Sequence, residues 1–260
     1  MKRVPVDDVA ANLEQVLARV AAAVDRCGRG RADVQLIAVS KKQDAEKVRA
    51  VFDAGQAIFG ESRVQEARAK IPLLPSAVRW QFIGHLQKNK IRHALPLFEL
   101  FHSVDSLPLA QDMQRIADEE GLHPRVLLEV NVAGEGSKIG FSPAALREQM
   151  EQLLALGRLE IAGVMTIPPL APQAEESRRY FVLLRELRDA LERECNVRLP
   201  ELSMGMSSDY EVAIEEGATL VRVGSAIFGG RGGKPSPLTG RQSLSQKRKR
   251  AAPSGTARFC

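Results

Sequence analysis

The chain is poor in the residues that would mark a metalloprotein, a disulfide scaffold or a membrane protein. Its three cysteines, Cys27, Cys195 and Cys260, are far apart and odd in number. They offer neither metal-ligand spacing nor a disulfide framework. No apolar run is long enough to cross a bilayer. The opening "MKRVPVDDVAANLEQVLARV" turns acidic after a charged start and has no apolar core of a secretory signal, so a reducing cytoplasm is the expected location. Aromatic residues make up 5% of the chain, with one tryptophan and two tyrosines, which limits any chemistry that needs a phenol. Acidic residues are missing altogether from residues 231–260, which hold eight lysines and arginines. The formal net charge of +5 therefore belongs to that segment; the rest of the chain has 29 basic side chains against 32 acidic ones. Rich in glycine, proline and serine, residues 231–260 cannot bury enough apolar surface to offset ordering entropy and are expected to be a disordered basic tail. Its "KRKR" run implies weak contacts with polyanions such as nucleic acid.

What is present is an alternation. Short apolar runs, read as strands at 34–40, 57–60, 78–84, 97–104, 125–132, 159–167, 201–205 and 219–224, are separated by stretches of helical periodicity at 44–54, 62–70, 87–93, 106–120, 173–195 and 208–216. A further helix at 7–26 precedes the first strand, with Val9, Leu13, Val16, Leu17 and Val20 on one stripe. Another follows Ser142, a natural N-cap, with Pro143 at its first position. The strands are mostly apolar, as parallel strands buried on both faces should be. Eight β/α units in residues 1–230 predict a closed (β/α)8 barrel in the α/β class, with an open doubly wound sheet as the alternative. No Gly-rich dinucleotide fingerprint follows any strand, which weakens that alternative.

Barrels of this kind place chemistry at the C-terminal ends of their strands. There, "GMSSD" after the seventh strand and "RVGSA" after the eighth supply hydroxyls, an arginine, a close-approach glycine and a helix start, a combination suited to a phosphate. The first strand, in "LIAVSKKQ", ends on Lys41 and Lys42. Barrel closure sets the first strand beside the eighth. A lysine there reaches an aldehyde on the same ligand that the phosphate anchors. Phosphate, aldehyde and lysine together describe pyridoxal 5′-phosphate. Strand alternation puts Lys41 and Lys42 on opposite sides but does not say which faces the pocket.

The motifs "AVSKKQ", "AGQAIFGESRVQEARAK", "WQFIGHLQKNK", "HSVDS", "EVNVAGEGSKIGF", "GVMTIPP" and "LSMGMSSDYEVAIEEGATLVRVGSAIFG" stand in this order between residues 7 and 229. Together they resemble the pyridoxal phosphate homeostasis protein family. The resemblance implies a barrel like the N-terminal domain of alanine racemase, with the cofactor held as a Schiff base on the lysine after "AVS", Lys41. It also implies phosphate contacts from Met206, Ser207, Gly224 and Ser225, and Arg222 near the ring and phosphate. Two positions depart from the family pattern: Ser62 replaces an amide expected to face the pocket, and Gln81 replaces a histidine. Lys138 is similar to a family lysine on a mobile loop.

The function implied is a non-catalytic carrier that buffers pyridoxal phosphate and delivers it to apoenzymes, as a monomer. The competing reading is an amino-acid racemase, which needs acid/base groups on both faces of the substrate adduct. Tyr180 and Tyr210 both fall on expected helices, and no residues are left for a second domain, so the second base is expected to be missing. His85, Asn89, Lys90 and Trp80 are expected to serve structure.

Overall fold

Strands buried on both faces need helices outside and a filled interior, and the computed structural model, which describes residues 6–136 and 139–229, has that arrangement. The elements run α1 (Val6–Arg26), β1 (Gln35–Val39), α2 (Ala45–Asp53), β2 (Ile58–Glu61), α3 (Val64–Lys70), β3 (Arg79–Phe82), α4 (Ile91–Ala94), β4 (Leu100–Val104), α5 (Leu107–Glu120), β5 (Arg125–Glu129), α6 (Pro143–Leu154), β6 (Glu160–Met165), α7 (Arg178–Cys195), β7 (Glu201–Ser203), α8 (Tyr210–Glu215), β8 (Leu220–Val223) and α9 (Ser225–Phe228). All eight strands are parallel and pair in sequence order, and β8 closes on β1 with Ile37 opposite Arg222. This is the expected barrel, and the open-sheet alternative falls.

Apolar side chains form two layers. The larger lies between strands and helices; Trp80 is buried there against Phe59, with ring centroids 5.8 Å apart. The smaller, made of Ile37, Ile58, Leu100, Leu127, Ala162, Met165 and Leu220, fills the inside of the barrel. Helix α1 packs on α2, α8 and α9, covering the seam where the barrel closes. It buries Val9, Leu13, Val16 and Val20, but Leu17 is 40% exposed and lies outside the stripe expected of it.

Several elements are shorter than their apolar runs. β7 stops at Ser203 because Gly205 takes a left-handed φ of 89°. A side chain at Gly205 would bring its Cβ within 2.5 Å of the Ala213 Cβ, so only glycine turns here. The helix expected at 87–93 is a 3-10 turn, Lys88–Lys90, leading into α4, and the one expected at 173–195 opens with a 3-10 turn at Ala174–Ser177. The Ser142 hydroxyl does cap α6, accepting the Ala145 N–H at 3.1 Å. Residues 231–260 and Lys138 lie outside the described residues. Among the described residues no helix is long and apolar enough to cross a membrane, and no cluster of histidine, cysteine or carboxylate side chains suits a metal ion.

Candidate functional site

Side chains alternate across a strand, so the interior residues of the lower barrel fix what faces inward above them. From Leu100 this parity leads to His102, from Leu127 to Glu129, and from Leu220 to Arg222. An extra residue in β4 relative to β5, and another in β6 relative to β5, mark bulges at which the alternation is reset. The upper barrel is thus polar where the lower is apolar. Arg222 donates from one guanidinium nitrogen to the Ser203 hydroxyl and from the other to the Thr166 carbonyl at 2.9 Å. Having accepted that hydrogen bond, the Ser203 hydroxyl donates its own to His102 Nδ1, 2.8 Å away. His102 Nε2 then donates to Gln81 Oε1 at 2.9 Å, and Gln81 Nε2 to Glu99 Oε1 at 2.9 Å. The direction of this chain fixes the His102 tautomer. Burial and the Arg222 charge hold the imidazole well below its ordinary pKa, so it stays neutral. Gln81, the departure from the family pattern, closes the chain with two hydrogen bonds of its own.

Arg222 is buried, and desolvation brings its guanidinium down to about 10, with the charges of Glu129 and Asp209 opposing the fall. It remains a cation at neutral pH. Burial and the nearby Asp105 push the Glu129 carboxyl up to about 7, against the pull of Arg222. Glu129 was not among the site residues expected from sequence.

The loops after β7 and β8 meet above Arg222. Ser207 Oγ accepts the N–H groups of Gly224 at 3.2 Å and Ala226 at 3.3 Å, which leaves its own proton to donate. The N–H groups of Ser207, Ser208 and Ser225 find no acceptor among the described residues. The Met206 N–H is taken by Asp209 Oδ1 at 2.7 Å, and its carbonyl accepts the N–H groups of Asp209 and Tyr210. It lines the turn but has no backbone donor to spare. Gly224 likewise gives its N–H to Ser207 and contributes space. Three free N–H groups, one hydroxyl and a cation below them suit a phosphate monoester.

At the end of β1 the parity of Ile37 passes through Val39 to Lys41. Lys42 falls on the other parity and takes a left-handed φ of 61°. Both side chains are exposed at the barrel mouth. Register places β1 between Arg222 of β8 and Gly60 of β2, so Lys41 shares the rim with the loops after β8 and β2. Gly84 lets the loop after β3 approach, since a Cβ there would overlap the Ser62 backbone. Ser62 lines a lateral cavity of about 490 Å³ with Arg63, Gln65, His85, Gln87 and Lys90. His85 is exposed on that side and pairs with Asp105 through Nδ1 at 2.9 Å.

The outer face of β1 and β2 carries a second buried polar group. Glu61 Oε1 accepts the Ser40 hydroxyl at 2.7 Å and the Lys70 ammonium at 2.5 Å. Neither Lys70 nor Glu61 stood out from sequence as a pair, because they are brought together only when α3 folds onto β2.

A family model described as alanine racemase, N-terminal domain, matches residues 11–232. A pyridoxal phosphate homeostasis protein of Aquifex aeolicus is 46% identical over 220 residues, covering 84% of this chain and 96% of that one. The solved structure of PipY from Synechococcus elongatus with PLP bound is similar at 41% identity and a TM-score of 0.72, covering 82% of this chain and 100% of that one. Alanine racemase of Bartonella henselae shares the fold at a TM-score of 0.69 and 14% identity, over 87% of this chain and 59% of that one. With this extent of identity over most of its length, the chain belongs to the pyridoxal phosphate homeostasis protein family.

Proposed function

We propose that this protein binds pyridoxal 5′-phosphate at the barrel rim and carries it, without turning substrates over, for delivery to apoenzymes. The observation that carries the reading is the meeting of the acceptor-less N–H groups of Ser207, Ser208 and Ser225, the buried cation Arg222 and the inward-parity Lys41 across the β8–β1 seam. Bound there, the cofactor supplies an aldehyde carbon that condenses with a lysine amine, expelling water. In this reading Lys41 Nζ is the covalent anchor. Ser207 and Ser225 donate to the phosphate, and Gly224 leaves room for it. Met206 forms the wall of the turn. Arg222 acts as a fixed charge, since its hydrogen bonds to Ser203 and Thr166 already set its orientation. The PLP-bound form of PipY supports the assignment of the ligand.

A racemase needs a second base across from the lysine. Tyr210 is buried in the outer layer with its ring 5.3 Å from the Arg19 guanidinium carbon. Tyr180 lies on α7, its ring 4.6 Å from that of Arg179. Neither is on the inner face, which favours a carrier. Action in the cytoplasm as a monomer, with residues 1–230 as the cofactor-binding barrel and 231–260 as a separate basic tail, completes the proposal. The test is incubation of the cofactor-loaded protein with L-alanine in D2O, followed by chiral analysis. No D-isomer is expected; its accumulation with deuterium at Cα, lost in Lys41→Ala, would overturn the carrier reading.

A further inference from the structure

The turn that presents Lys41 is strained. Ser40 accepts the Gln43 N–H at 3.0 Å, closing a four-residue turn with Lys41 and Lys42 at its centre. Among the described residues only Lys42 and Asn196 combine a side chain with positive φ. Asn196 sits at the C-cap of α7, where a left-handed residue is ordinary. Lys42 has no such excuse: a long side chain in this region is disfavoured and persists only where its surroundings impose it.

The surroundings are the outer polar group. Glu66 Oε1 accepts the Lys42 N–H. Lys70 Nζ donates to the Ser40 carbonyl at 2.9 Å, to Glu61 Oε1 at 2.5 Å and to Glu66 Oε1 at 3.2 Å. The carbonyl that precedes Lys41 and the N–H that follows it are therefore fastened to one cluster, on the side of the chain away from the pocket. Glu61 is fully buried, yet its Oε2 has no partner. A buried ion pair with an orphaned oxygen is a poor device for stability. It makes better sense as a device for geometry.

We propose that Glu66 and Lys70, backed by Glu61, are positioning residues that hold the Ser40–Gln43 turn in its left-handed form and so aim Lys41 at the cofactor aldehyde. The inference rests on the reading of Lys41 as the cofactor lysine. Fixing the two flanking peptides beforehand removes an ordering cost that cofactor capture would otherwise meet. Glu66 is the cleanest point of attack, because it lies at the edge of the cluster with 23% of its side chain exposed, and its loss leaves Glu61 and Lys70 paired.

The experiment uses the full chain. In cofactor-free protein, amide exchange at Lys42 is measured for wild type, Glu66→Ala and Glu66→Gln. The same proteins are then titrated with pyridoxal 5′-phosphate and trapped with borohydride. In Glu66→Ala, exchange at Lys42 should accelerate and cofactor affinity should fall about three- to tenfold, the range for one lost hydrogen bond. Glu66→Gln keeps an acceptor oxygen and should stay close to wild type, which a purely electrostatic role would not allow. Adding Lys42→Gly to Glu66→Ala removes the steric cost of positive φ and should restore part of the affinity. Should the alanine variant not fold, Glu66→Ser shortens the acceptor out of reach and tests the same bond. Wild-type exchange and affinity in Glu66→Ala would overturn the inference. A borohydride label that never reaches Lys41 in wild type would instead overturn the reading of the site, while the exchange data still decide whether the cluster holds the turn.

Discussion

Two buried polar networks lie on opposite faces of the same barrel wall, and they are built differently. The inner one runs from Arg222 through Ser203 and His102 to Gln81 and Glu99, each member donating to the next. It lies beneath the loops after β7 and β8, where the phosphate is proposed to bind. The outer one, Ser40, Glu61, Glu66 and Lys70, leaves Glu61 Oε2 without a partner and, besides its own side-chain bonds, grips the backbone at Ser40 and Lys42. A fully satisfied buried network rigidifies its surroundings, whereas an unpaired buried polar atom is costly. In the proposed reading the difference separates two tasks: holding the anion and aiming the amine.

The largest expected effect comes from breaking the outer network. Lys70→Met strands Glu61 as a buried, unpaired carboxylate and should cost about 3–5 kcal/mol in chemical denaturation. Replacing both partners, Glu61→Leu with Lys70→Met, should cost far less; equal losses in the two proteins would contradict the unequal design of the networks. Next comes the inner network. Arg222→Met should leave a folded barrel whose affinity for pyridoxal 5′-phosphate, read by absorbance titration, falls about ten- to a hundredfold, the value of a charge-assisted contact.

Glu129 gives a pH signature to the inner side. Its folded pKa of about 7 lies above the ordinary carboxyl value of 4.5, so the native state keeps a proton that the unfolded chain releases between those values. This contribution to stability is full below pH 4.5 and is lost as pH rises through 7. Glu129→Gln should therefore raise the melting temperature of cofactor-free protein more at pH 8 than at pH 5. The gap should be on the order of 1–2 kcal/mol, because partial exposure moderates it. No difference between the two pH values would mean that Asp105 and Arg222 balance at this carboxyl. The smallest effect is expected for Ser207→Ala, which removes one hydroxyl from the phosphate loops and should speed cofactor release about three- to tenfold.

The order of strands and the barrel were legible because each strand is a short apolar run, and the two loops proposed for the phosphate stood out because each is marked by glycine and serine. From strand pattern alone Lys41 stood out only as one of two, and the family resemblance was what singled it out. Choosing it by geometry needs an inward residue to count from, and Ile37 becomes one only when β8 closes on β1. Glu129 stood in the quoted "EVNV", but its raised pKa comes from burial inside the closed barrel and from Asp105 in the loop after β4, against the pull of Arg222 on β8, and none of these is local in sequence. Gln81 looked like a loss relative to the family pattern. Its partner His102 is 21 residues away, and nothing local announces the pairing. Glu61 and Lys70 are nine residues apart across a strand-to-helix turn, and nothing local pairs them.

The central claim is that Lys41, alone of the adjacent lysines, is the amine turned toward the cofactor. The most direct measurement is borohydride reduction of the protein loaded with pyridoxal 5′-phosphate, followed by peptide mapping, with Lys41→Ala and Lys42→Ala run beside it. The account predicts a phosphopyridoxyl label on Lys41, retained in Lys42→Ala and absent in Lys41→Ala together with the yellow colour. A label on Lys42 in the wild-type protein, or a coloured and trappable Lys41→Ala variant, would contradict it.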